Sequence, residues 1–360
     1  MGTTTVTPSP TDKEQRMPSP GIGFFTRLLD RAPAADRYRF ATEQAELAER
    51  LGFDTVWVAQ HHFHADEGGL PSPFVFLGHL AARTSRIRLA TGVITLPLED
   101  VVRVAEDAVV ADLLSGGRLE LGLGSGSTPA SFAAFGVDSS DRARVYADGV
   151  DRLLAALAGE ELAHPENHLY PDGRPLLRRI WQATFSAFGG TRAGLPGHGL
   201  LLSRTQPRPD GQPDLPLAEL QQPIVDAYLE ALPEGAEPRI LASRTLVVTD
   251  TAADAERYLE EAWQRYLTKP GAGGFLIEAD DARTWARRSD THIGTPDQVV
   301  ASLGADPIIP QSSEVAFQVH SVDPGHEATL RSLELIATEV APRLGWGAQL
   351  RGRTTASAVA

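Results

Sequence analysis

Cysteine is absent from this chain of 360 residues. That absence removes disulfides, thiolate metal sites, iron–sulfur clusters and cysteine nucleophiles together, and it fits a reducing compartment. Positive charge is scarce: 33 Lys and Arg against 47 Asp and Glu leave a formal charge of −14. A general binder of nucleic acid or of an anionic membrane surface is thereby excluded, although a small anion needs only a local cationic site. No apolar run approaches the ~20 residues that span a bilayer. The opening MGTTTVTPSPTDKEQRMPSP has no apolar signal-peptide core, and Val6 stands where N-myristoylation requires Ser or Thr. A soluble, cytoplasmic protein is expected. Its tails at 1–20 and 347–360 read as disordered, flanking one domain over 21–346. The remaining composition, 42% hydrophobic and 22% charged, is enough for a sizeable core.

Strand and helix patterns alternate along the domain. Strands are predicted over Gly21–Phe25, Thr55–Ala59, Ile87–Thr95 (broken by Gly92), Leu119–Leu123, Ile180–Thr184, Leu200–Leu202, Ile240–Val248 and Val315–Val319. Helices are predicted over Arg37–Leu51, closed by Gly52, over Phe74–Arg83, and over Val101–Leu114, stopped by Gly116-Gly117. Others follow over Arg144–Leu157, Leu217–Leu232, Thr251–Tyr266, Pro296–Leu303 with Thr295 as N-cap, and His326–Leu344. Eight strands separated by helices predict an α/β chain folded as a single (β/α)8 TIM barrel with insertions in the later βα loops.

The second predicted strand runs straight into Gln60-His61-His62-Phe63-His64. A strand cannot bury three imidazoles without partners, so they are expected at its C-terminal mouth, where parallel-strand folds place chemistry. Three readings stand. The rings can be solvated loop histidines. His62-x-His64 can be a metal-ligating pair with His320 and Asp323, although the fifth and sixth strand ends, Thr184-Phe185-Ser186 and Ser203-Arg204, add no ligand. Or an imidazole, titrating near neutrality, can take up and return a proton. His61 and His62 would then differ in direction and in role.

Two further segments suit a flat or anionic ligand. Gly122-Leu-Gly124-Ser-Gly126-Ser-Thr128 follows the fourth strand. Its small residues allow either a tight turn or the approach of a ligand to the backbone. It is not a dinucleotide fingerprint, because Ser127 takes the third glycine's place. Ser186-Ala-Phe-Gly189-Gly190-Thr191-Arg192, after the fifth strand, can form a phosphate cradle at a helix start or a plain surface turn. Arg103 sits at the start of a predicted helix, where a cation opposes the dipole and a bound anion would account for it.

Taken together, these segments resemble the luciferase-like flavin monooxygenases, in particular the bacterial luciferase branch. The matching stretches are RLGFDTVWVAQHHF (50–63), IRLATGVITLPLEDVVRVAEDAVVADLLSGGRLELGLGSGS (87–127), FGVD (135–138) and IGTPDQVVASL (293–303), within a resemblance from Gly21 to Trp346. It implies a monooxygenase that uses reduced FMN from a separate flavin reductase, and O2, to oxidise a small organic substrate through a peroxyflavin. His61 would be the acid–base residue beside the flavin, with His62 as its neighbour. Thr91 and Gly92 would face one edge of the ring system, and Gly124 and Ser125 its other side. Arg103 would hold the phosphate, with Ser186, Gly190 and Thr191 as the phosphate loop. A glutamate precedes the histidine pair in that branch, whereas Gln60 stands here and removes a possible charge partner. No metal is implied, and covalent flavin attachment through cysteine is excluded. The resemblance also implies a homodimer through the helices after strands two and three. Two alternatives stay open: a deazaflavin-dependent oxidoreductase on the same fold, and a non-catalytic flavin-binding protein.

Overall fold

The computed structural model describes residues 19–271 and 275–346. Apart from Ser19 and Pro20 the two expected tails lie outside these residues, as do positions 272–274 of the glycine-rich stretch. The strands are β1 (Gly21–Thr26), β2 (Thr55–Val58), β3 (Arg88–Thr91), β4 (Ile94–Thr95), β5 (Leu119–Gly124), β6 (Ile180–Ala183), β7 (Gly199–Leu202), β8 (Ile240–Val248), β9 (Thr291–Gly294) and β10 (Glu314–Gln318). Eight of them form a parallel ring in the order β1-β2-β3-β5-β6-β7-β8-β10, closed where β10 pairs with both β8 and β1. The predicted eight-strand TIM barrel is therefore the observed fold, and its eight predicted strands are its staves.

The helices are α1 (Ala34–Leu51), α2 (Pro73–Arg83), α3 (Val101–Ser115), α4 (Pro129–Ala134), α5 (Arg142–Ala158), α6 (Ala187–Gly194), α7 (Leu217–Ala231), α8 (Ala252–Thr268), α9 (Ala282–Arg288), α10 (Pro296–Gly304) and α11 (His326–Leu335). Local chemistry explains several of their ends. Gly52 at φ 88° and Gly116 at φ 70° take the left-handed conformation that closes α1 and α3. Asp100 caps α3 by accepting from the Val102 and Arg103 amides. Thr295 and Gln298 form a reciprocal capping box on α10.

Four elements depart from the sequence reading, while the third strand breaks where it was expected to. That strand stops at Thr91 and resumes as β4, which pairs with β5. The break falls at Gly92, where a Cβ would lie 2.6 Å from a ring carbon of Phe25 on β1. The closing helix ends at Leu335 and continues as a wider turn over Ile336–Val340. Finally, α4, α9 and β9 had no predicted counterpart; β9 pairs on the outside of β8 and belongs to the long β8–β10 insertion.

The main core lies between the barrel and its helices, while Trp57, Ala90, Trp181, Leu201, Leu241 and Ala316 fill the barrel itself. Trp57 and Trp181 meet edge to face with ring centroids 5.5 Å apart. Each indole N–H has a carboxylate: Trp57 donates to Glu314 at 2.7 Å and Trp181 to Glu120 at 2.7 Å. Glu314 opens β10 and Glu120 lies at the start of β5, so this cluster plugs the N-terminal end. Burial pushes the Glu314 carboxyl up to about 8. The opposite, C-terminal end is left for the site.

Candidate functional site

β2 ends at Val58, and the chain then delivers the histidine segment to the mouth. Gln60 is buried, and its side chain turns away from the histidines. Its Nε2 donates to Glu99 at 2.5 Å and to the Pro71 carbonyl at 3.4 Å, and its Oε1 accepts from the Thr95 amide at 2.7 Å. His61 is held by its amide, which donates to the Leu70 carbonyl at 3.0 Å. Burial above all, then the charges of Arg27, His320 and His62, hold the His61 imidazole well below its ordinary value. His62 packs its ring edgewise on Phe135, 4.9 Å between centroids, and burial lowers its proton affinity as well. Its Nε2 is buried and has no hydrogen-bond partner. Phe63, at φ 66°, then turns the chain so that it and His64 are exposed. Among the described residues no group of three or more His, Cys, Asp or Glu side chains is placed to hold a metal ion.

His61 and His62 wall a cleft of about 140 Å³ whose other side is Gly92-Val93, Thr95, Gly126 and Phe132. This cleft gathers part of the expected flavin set. Gly92 lines it, and the Gly92–Val93 peptide is cis. Thr91 stops short of it: its buried hydroxyl donates to the Gly122 carbonyl at 2.8 Å and accepts from the Gly122 amide at 2.9 Å, tying β3 to β5. Gly124 is buried behind the wall, since a Cβ there would lie 2.4 Å from Val93. Ser125 is half-buried beside it, and the cleft is lined instead by Gly126, Ser127 and Thr128. The glycines of this segment thus admit neighbouring protein atoms as well as bordering the cleft.

The expected phosphate residues are more scattered. Ser186 caps α6, its Oγ accepting from the Gly189 amide at 3.2 Å, at the mouth of β6. Gly190 answers a packing need: a Cβ would lie 2.4 Å from the Ile224 carbonyl of α7, just as one at Gly194 would meet the Tyr228 carbonyl at 2.5 Å. The glycine-rich run seats α6 against α7. Thr191 is half-buried on the second turn of α6. The Arg103 side chain is 64% exposed and points to Glu106 at 2.5 Å and Asp107 at 2.8 Å, on its own helix, so it is not gathered into the cleft.

The sequence reading weighed His320 only as a metal ligand and Arg204 only as a strand end that adds none, and it did not single out Arg27. Arg27, Arg204 and His320 each stand one or two residues beyond a barrel strand, after β1, β7 and β10. Arg27 donates to the Glu67 carbonyl, Arg204 to Thr245 Oγ1 at 3.3 Å, and His320 lies 3.3 Å from Asp323. Burial lowers Arg27 to about 10; burial and then Arg27 lower Arg204 to about 9. Burial, then Arg204 and Arg27, bring His320 down to about 4. The signal was available as position: a charged residue just past a strand end in a parallel barrel faces the mouth.

With the barrel and its histidine-lined mouth established, kinship can be stated. Residues 20–305 match the model of the luciferase-like monooxygenases, and the chain belongs to that family. It is 32% identical over 324 residues to the 4-hydroxyprotoasukamycin monooxygenase of Streptomyces nodosus subsp. asukaensis, covering 84% of this chain and 85% of that protein. It is 28% identical over 335 residues to the limonene 1,2-monooxygenase of Rhodococcus erythropolis, covering 86% and 83%. Among solved structures, the oxygenating constituent of 3,6-diketocamphane monooxygenase from Pseudomonas putida, in complex with FMN, superposes with a TM-score of 0.71 at 18% identity over 90% of this chain and 98% of that one. The coenzyme F420-dependent tetrahydromethanopterin reductase of Methanopyrus kandleri gives 0.63 at 17%, over 91% and 99%. These two likenesses show the fold. The protein is an enzyme of the monooxygenase class, and no helix among its described residues is long and apolar enough to cross a membrane.

Proposed function

We propose that the enzyme is an FMN-dependent monooxygenase that takes reduced flavin from a separate reductase in the cytoplasm and oxidises a small organic substrate with O2. One observation carries this reading: a buried, partnerless His62 Nε2 beside a cleft of small residues. Such an atom costs about 1–3 kcal/mol unless a ligand satisfies it, and a flat heterocycle rich in hydrogen-bonding atoms fits. His61, His62, Gly92-Val93 and Gly126 would hold the ring edge, backed by Gly124 and Ser125. Ser186 and Thr191, on the first two turns of α6, would meet the phosphate. For Arg103 to join them it would have to leave Glu106 and Asp107. When bound in its reduced form, FMN supplies the electrons that activate oxygen.

The chain's own contribution is proton control and water exclusion. His61 stays neutral at physiological pH, so it can accept one proton from the substrate and return it. Phe132, Leu98 and Val93 supply the apolar part of the cleft lining, which helps to exclude water. A homodimer is supported by Val75 on α2 and by Val110, Leu113 and Leu114 on α3, which expose apolar surface (Val75 77%, Leu114 65%) on adjacent helices.

F420 dependence is the second reading, supported by the F420-dependent enzymes that share this fold. Anaerobic titration of the purified protein with reduced FMN and with reduced F420 tests the choice. Tight FMN binding followed by oxygen consumption is expected; binding of F420 alone would overturn the FMN assignment.

A further inference from the structure

A larger cavity, about 570 Å³, opens on the β1–β10 flank of the mouth. Its volume is in the range of roughly 300–1,000 Å³ typical of small-molecule sites. In a protein of charge −14, its wall runs the other way: Arg31, Arg37, Arg265 and Lys269 face two carboxylates, Asp66 and Asp323. Lys269 is paired with Asp66. Arg37 and Arg265 spend their donors on neutral backbone carbonyls, Ala65 at 2.6 Å and Val322, and the Arg265 charge is offset only through space, by Asp323 and Glu261. Arg31 is exposed and makes no hydrogen bond or ion pair with the described residues. It lies close enough to Arg265 for their like charges to repel, which lowers Arg265 further after burial has done so. Proteins gather guanidinium groups against their own repulsion where an anion is to be received.

The same wall holds two buried donors without partners, Trp285 Nε1 and Ser321 Oγ, and Trp285 is only 2% exposed. His320 belongs to this wall and lies near enough to His61 for protonation of one imidazole to oppose protonation of the other, so the cavity adjoins the histidine site.

We propose that this cavity receives the anionic group of the substrate, so that the enzyme oxidises a small organic anion, a carboxylate or a phosphate ester, whose uncharged end extends past His320 toward His61. Assigning the anion to the substrate rests on the monooxygenase reading above; the cationic cavity itself does not.

The test uses the full-length protein, both free of flavin and loaded with FMN. It is titrated with benzoate, phenyl phosphate and the neutral isostere benzamide, followed by tryptophan fluorescence. At least one anion is expected to bind about tenfold more tightly than benzamide, and the preferred anion tells carboxylate from phosphate ester. Arg31→Gln, at an exposed position with no partner to lose, is expected to weaken anion binding about fivefold or more and leave benzamide unchanged. Equal affinity for benzamide, or an unaffected R31Q protein, would overturn the proposal. So would an R31Q protein that loses FMN affinity but keeps riboflavin affinity, because the cavity would then hold the cofactor's phosphate. Anion binding by a protein that takes up neither flavin nor F420 would instead sink the functional reading and leave the anion site supported.

Discussion

The two ends of the barrel treat polar groups in opposite ways. At the N-terminal end both indoles have a carboxylate, Trp57 with Glu314 and Trp181 with Glu120, and the Arg88 guanidinium also pairs with Glu120, at 2.5 Å. At the C-terminal end buried polar atoms are left over: His62 Nε2, Gln206 Nε2, Gln318 Oε1 and Ser321 Oγ all lie at or beyond the last residue of a strand. Leaving such atoms unsatisfied is costly in a folded protein. The lower end is finished by folding, whereas the upper end is completed by what binds there.

Substitutions should separate the ends cleanly. His61→Ala should lower oxygen-dependent turnover by about 10²–10⁴-fold with little change in melting temperature, as for loss of a general acid–base group; unchanged turnover would remove His61 from catalysis. Trp57→Ala should do the reverse, costing about 3–5 kcal/mol in urea unfolding. If it altered ligand affinity far more than stability, the division between the ends would fail.

Smaller effects sharpen the picture. Gly190→Ala should cost about 1–3 kcal/mol by forcing α6 off α7. An FMN-affinity loss without destabilisation would instead return that glycine to the phosphate site. Glu314→Gln tests the raised carboxyl. Below pH 4.5 both states of the wild type are protonated; as pH rises, the unfolded chain ionises first, and stability drains away until the folded group ionises near 8. The variant should therefore gain on the wild type from pH 5 to pH 8, by on the order of 3–4 kcal/mol. A difference independent of pH would show that Glu314 is ionised throughout. Arg103→Ala should cost under about 1 kcal/mol of stability, since it breaks only exposed ion pairs. Its effect on FMN against riboflavin binding decides whether the arginine ever reaches a phosphate.

What could be read from the sequence was what neighbours in sequence decide. Gly52, Gly116 and Thr295 act within one helical turn, and their helices end or begin where expected. The break at Gly92 was legible as a glycine within a strand pattern, but its cause was not, because the obstructing ring, Phe25, lies on another strand. Gly190 looked like a phosphate cradle because Ile224, its true neighbour, belongs to the following helix. Arg103 was legible in a simpler way: Glu106 and Asp107 stand three and four residues on, and such pairs are local chemistry. The other half of the mouth had only the cue of position past a strand end, since Arg27, Arg204 and His320 meet only when the barrel closes.

Gln60 gives the site a mechanical linkage. One amide grips Glu99, Thr95 and Pro71 at once, so the strand end bearing the histidines and the loop forming the facing wall cannot move independently. A carboxylate at position 60 would confront Glu99 across that same bond and push the walls apart. With glutamine there, a ligand pressing on Thr95 is felt one residue away from His61, and the width of the cleft and the aim of its base become a single adjustable quantity.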